Sequence, residues 1–133
     1  MALHPAEEAT IRAFIVPAKR VRYLSLLANE KRRAKFLDCL NHCRDIDNRY
    51  ATVLPSTADA FSLLCECGAP DLCHVISDCR DMDGREMPLE DAVAHAESVG
   101  WGTILCCIPG RLAYYLDEAG SERRILLSRS PAN

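Results

Sequence analysis

No stretch of this chain is apolar over the roughly 18 residues that a membrane span needs. Met1 to Glu8 is polar or small and includes two acids, whereas a secretory signal needs a basic start and an apolar core. There is no Gly-rich phosphate loop, nucleophile elbow or paired-histidine metal motif, so no cofactor and no metal are expected. Internal repeats, low-complexity tracts and a linker long enough to separate a second domain are missing too. Aromatics make up 6% of the chain, and Tyr23 is the only one within the basic segment from Lys19 to Lys35. That argues against a single-strand stacking platform. What remains is an ordinary globular composition, 49% hydrophobic and 26% charged over 133 residues, near the modal length of one domain. The expectation is a cytoplasmic single domain spanning 1–133.

The eight cysteines stand apart from that ordinary composition. Without an export signal, reduced thiols are expected. Cys106 and Cys107 are adjacent in an expected strand and point to opposite faces. Cys65 and Cys67 diverge by about 200° on an expected helix. Neither pair suits a disulfide. Zinc needs short Cys or His knuckles, and Cys39-x3-Cys43, Cys65-x-Cys67 and Cys73-His74 lack the two-residue spacing. Core packing explains these cysteines better, since a thiol behaves as a small hydrophobe. A catalytic thiolate needs a base or cation nearby, and His74 is the one candidate.

Net charge is −3, but unevenly spread. Residues 1–50 hold ten Lys and Arg against six Asp and Glu, whereas residues 51–133 hold six against thirteen. Such asymmetry means either two halves that meet each other or a basic surface that meets an anionic partner.

Periodicity makes the first half helical. Ile11, Phe14 and Ile15 form one apolar face after the acidic Glu7-Glu8. Pro17 starts a second helix, 17–28, with Val21, Leu24, Leu27 and Ala28 as its buried stripe. Asn29 ends that helix or caps a third, 30–44, carrying Phe36, Leu37, Leu40 and Cys43. Residues 50–56 read as a connection. Ser56 or Thr57 caps a short helix, 57–67, which Gly68 and Pro70 stop. The period then changes. Cys73–Ser77 reads as a strand, Asp81–Gly84 as a turn, and Pro88 as the start of a helix ending at Gly100. Strands at 103–108, 112–116 and 123–128 follow, joined by a type II turn at Pro109-Gly110 and a second turn at Ala119-Gly120. The fold class expected is α+β: N-terminal helices packed on a small, mainly antiparallel sheet of β-α-β-β-β order, with a helical half of about 6–68 and a sheet half of about 72–129.

Four stretches, Phe14–Arg20, Lys31–Leu37, Asp83–Glu90 and Ile108–Tyr114, together resemble a family of small uncharacterised bacterial proteins. The resemblance spans most of the chain and carries no catalytic residue with it. It implies a bacterial, single-domain protein.

Two candidate sites stand out. The first is basic: Lys19 and Arg22 (with Arg20) in the second helix, and Lys31, Arg32, Arg33 and Lys35 in the third. Cations near a helix N-terminus oppose its dipole, a cost removed when an anion sits there. The alternative is a solvated face partly paired with Glu30, Asp38 or the acidic second half. Arg33 falls close to the stripe of Phe36, Leu37 and Leu40, so its stem can cover core while its head stays wet. A pI near 5.8 argues against dedicated nucleic-acid binding. The second site is the polar loop with Asp81, Asp83 and Arg85, joined by Arg111 after the Pro-Gly turn. Residues 79–90 echo a calcium loop but begin with Cys79 and have Glu86 where an aliphatic residue belongs. Asp78, Asp81, Asp83 and Glu86 remain able to hold a cationic group weakly.

Three readings follow. The leading one is a non-enzymatic binding or regulatory module contacting an anionic or protein partner through the basic helices. The others are a small enzyme with a site near the loop 78–90 and the sheet, and a structural subunit of a complex.

Overall fold

A computed structural model describes residues 3–120 and 122–128. Residues 1, 2, 121 and 129–133 of the expected domain, including the end of its sheet half at 129, lie outside the described residues.

Three helices come first: α1 (Pro5–Phe14), α2 (Pro17–Leu27) and α3 (Glu30–Leu40). Proline opens α1 and α2, where its fixed φ suits the first turn and its missing N–H costs nothing. His4 caps α1, its Nδ1 accepting from the Ala6 N–H at 3.1 Å. Asn29 caps α3, its side chain accepting from the Lys31 N–H at 2.9 Å. The chain continues through β1 (Ala51–Val53), α4 (Ala60–Glu66), β2 (Leu72–Ser77), β3 (Glu86–Pro88), α5 (Leu89–Val99), β4 (Thr103–Ile108), β5 (Leu112–Leu116) and β6 (Arg123–Leu127).

The six strands form one sheet in the order β1-β6-β5-β4-β2-β3, antiparallel at every pairing. The fold is α+β, as expected, with two short strands added. β1 replaces an expected connection and closes one edge against β6, so the sheet reaches back into the helical half. β3 pairs with β2 at the other edge, just before α5. Each has three residues, too few to show an alternation.

Helices cover both faces of the sheet. Ile76, Ile104, Cys106, Ala113, Tyr115 and Leu126 pack under α1, α2 and α3. Val75, Leu105, Cys107, Leu112, Tyr114 and Ile125 pack under α4 and α5. A strand buried on both sides must be apolar at every position, which is why β5 reads Leu-Ala-Tyr-Tyr-Leu and is buried throughout. Cys106 and Cys107 point to opposite faces, as expected, and both are buried.

Local details differ from expectation for identifiable reasons. In α2 the buried residues are Tyr23, Leu26 and Leu27, while Val21 is 80% exposed. Apolar residues surround that helix, and contact with its neighbours selects the stripe. α3 stops at Leu40 because Gly102 passes against it. A Cβ built on Gly102 would lie 2.3 Å from the Leu40 carbonyl carbon. The Leu40 carbonyl accepts instead from the Tyr115 hydroxyl at 2.5 Å. The Gly102 N–H donates to Asn41 Oδ1 at 2.7 Å, and Asn41 Nδ2 donates to Asp78 at 2.8 Å. α4 is capped by Asp59, not by Ser56 or Thr57. At Pro109-Gly110 the expected turn forms: Gly110 has φ +74° and the Arg111 N–H reaches the Ile108 carbonyl at 2.9 Å.

Candidate functional site

Burial of Tyr23, Leu26 and Leu27 on α2, and of Phe36, Leu37 and Leu40 on α3, turns the opposite sides of both helices outward. Ala28 and Asn29 alone join the two helices, which makes them antiparallel neighbours. Lys19 and Arg22 on α2, and Lys31, Arg32 and Lys35 on α3, are all solvent-accessible. Arg32 Nη1 lies 3.5 Å from Ser25 Oγ, which brings the two outward stripes together. Val21, one turn before Ser25 on α2, is 80% exposed. Among the described residues none of these five cations forms an ion pair, not even with Glu30 or Asp38 on α3. Arg20, by contrast, turns back and donates its Nε–H to the Ile15 carbonyl at 2.8 Å.

Arg33 does not share that face. Its Nη1 and Nη2 donate to the two oxygens of Glu7 at 2.8 and 2.9 Å. Its Nε and Nη2 donate to Asp83 at 2.8 and 3.0 Å. A planar guanidinium makes two such forks at once, which an ammonium cannot. The two carboxylates, Glu7 first, hold the Arg33 pKa above its ordinary value. Glu7 is 2% exposed. Burial alone would push its carboxyl up, but the hydrogen bonds from His74 and Arg33 reverse this and hold it at about 2. His74 Nε2 lies 2.7 Å from Glu7 Oε2, and the His4 ring stacks on His74 with centroids 3.9 Å apart. Asp83 also accepts from the Ser77 N–H at 3.0 Å. This cluster ties α1, α3, β2 and the loop after it into one unit. Neither Glu7 nor His4 carried a signal for it, since an acid in a first helical turn already has a reason to be there.

The loop residues do not converge. Asp83 belongs to the Arg33 cluster, and Asp78 accepts from Asn41. Asp81 is exposed, and its backbone carbonyl accepts from Arg85 Nη1 at 3.2 Å. Arg111 follows the turn at Pro109-Gly110, also exposed. The described residues hold no group of three or more His, Cys, Asp or Glu placed to bind a metal ion. All eight cysteines are unpaired. Burial pushes the thiols of Cys73 and Cys106 up to about 12 and raises that of Cys107 as well. These thiols stay protonated at neutral pH, and the nearest imidazole, His74, is committed to Glu7.

No helix among the described residues is long and apolar enough to cross a membrane. No family model, curated protein or solved structure matches the chain. The geometry above therefore carries the functional reading.

Proposed function

We propose that the protein is a non-enzymatic binding or regulatory module that engages an anionic partner through the outward face of α2 and α3. One observation carries the reading. Lys19, Arg22, Lys31, Arg32 and Lys35 are all exposed on α2 and α3 without an ion pair among the described residues, although acids outnumber bases in the chain as a whole. Unpaired surface cations attract an anionic surface over about a Debye length and release bound ions on contact. The exposed Val21 gives an acidic protein surface something to cover that a phosphate chain has no use for. The test is retention on a heparin column under a salt gradient. The wild type elutes late and salt-dependently, and the double variant Lys31→Gln, Arg32→Gln elutes earlier with its melting temperature unchanged. Identical elution of the two proteins would overturn the reading.

A further inference from the structure

A second site lies away from the basic face. A cleft of about 390 Å³ opens between the segment after α3 and the β5–β6 turn. Tyr115 and Arg124, directly opposite each other on β5 and β6, form its floor. His42 and Arg44 stand on one wall, Asp117 and Glu122 on the other.

The charges are arranged in pairs that exchange easily. Arg124 is 18% exposed and donates through Nε and Nη2 to a single oxygen of Glu122, at 3.3 and 2.8 Å. Its Nη1 donates to no other described residue. Glu122 is 41% exposed and lines the cleft. Arg44 is exposed and forms no ion pair among the described residues. His42 is occupied by Glu118 at 2.9 Å. Asp117 accepts from the Glu122 N–H at 2.9 Å.

We infer that this cleft binds a small acidic amino acid. A simple anion would have to displace Glu122 from Arg124 and leave that half-exposed carboxylate to water alone. A simple cation would do the same to Arg124. A ligand bearing both charges exchanges with the internal pair and leaves neither unmatched: its carboxylate takes Arg124 and its ammonium takes Glu122. The further cation, Arg44, matches a second carboxylate. A molecule of about ten non-hydrogen atoms fits a cleft near the lower end of the usual ligand-pocket range. The site holds its ligand without reacting with it. The Tyr115 hydroxyl is used both ways, donating to the Leu40 carbonyl and accepting from the Cys43 N–H. Burial holds the neighbouring Cys43 thiol up at about 11, so it stays protonated.

The test is titration calorimetry at fixed ionic strength with L-glutamate, L-alanine, succinate and putrescine. L-glutamate binds saturably, and each of the others, lacking at least one of its three charges, binds roughly tenfold more weakly or worse. Arg124→Gln and the exposed Arg44→Gln each weaken L-glutamate by a similar factor, while Lys31→Gln, Arg32→Gln binds as the wild type does. Absence of saturable L-glutamate binding would overturn the proposal. So would equal binding of succinate, or unchanged affinity in both arginine variants.

Discussion

Arg32 and Arg33 are neighbours on one helix and have opposite employments. Arg32 stands beside Ser25, its charge offered outward. Arg33 reaches inward and commits its charge to Glu7 and Asp83, from two other regions of the chain. A helix turns about 100° per residue, so a run of four basic residues in five positions cannot serve one surface. A charge cluster in sequence is thus at least two objects in space, one for solvent and partners and one for the fold.

That contrast breaks first at Arg33. Arg33→Gln removes the one cation that bridges Glu7 and Asp83 among the described residues. It should destabilise the protein by about 3 kcal/mol or more, the usual cost of removing one partner of a buried pair. Urea unfolding measures this, and Arg33→Lys should recover only a fraction of it. A loss below about 0.5 kcal/mol, the ordinary range for a surface substitution, would mean that the two arginines do not differ.

Acid should erase the contrast without mutation. The Glu7 carboxyl titrates at about 2 in the fold against an ordinary 4.5, so the unfolded chain takes up its proton more readily. Its contribution is fully present above the ordinary value and is lost as the pH falls from about 4.5 toward 2. The amount is on the order of 3 kcal/mol. Urea midpoints measured across that range should fall for the wild type and fall less for Glu7→Gln.

A backbone lesion calibrates the scale. Gly110→Val strains a φ of +74° without touching either arginine, and should cost about 1–3 kcal/mol in a thermal melt. At the small end, Arg32→Gln should change stability by less than about 0.5 kcal/mol while moving the protein earlier on heparin. A large loss of stability there would place Arg32 with the fold rather than with the open face.

The sequence carried much of this architecture and little of the cluster. α1, α3 and α5, the three C-terminal strands and the Pro109-Gly110 turn were legible because each is a local pattern with its own punctuation. Val21 misled because α2 offers several apolar stripes, and the packing of Tyr23, Leu26 and Leu27 chooses among them. β1 was illegible because its partner lies more than 70 residues away. The Arg33 cluster joins residues 7, 33, 74 and 83, and no periodicity links positions so far apart. The one available hint was that Arg33 falls near the stripe of Phe36, Leu37 and Leu40.

The pairing of β1 with β6 also imposes an order in time. Ala51–Val53 emerges from the ribosome long before Arg124–Leu126, the only strand it pairs with among the described residues. Throughout synthesis that edge waits unpaired, and β5 waits for the same last strand before it becomes an interior one. A chain halted between residues 117 and 122 has β5 as an open edge, with Tyr114 and Tyr115 on it. Long-range closure of this kind is slow and exposed to misassociation. The last strand acts as a clasp, and its arrival is the event that fastens the sheet.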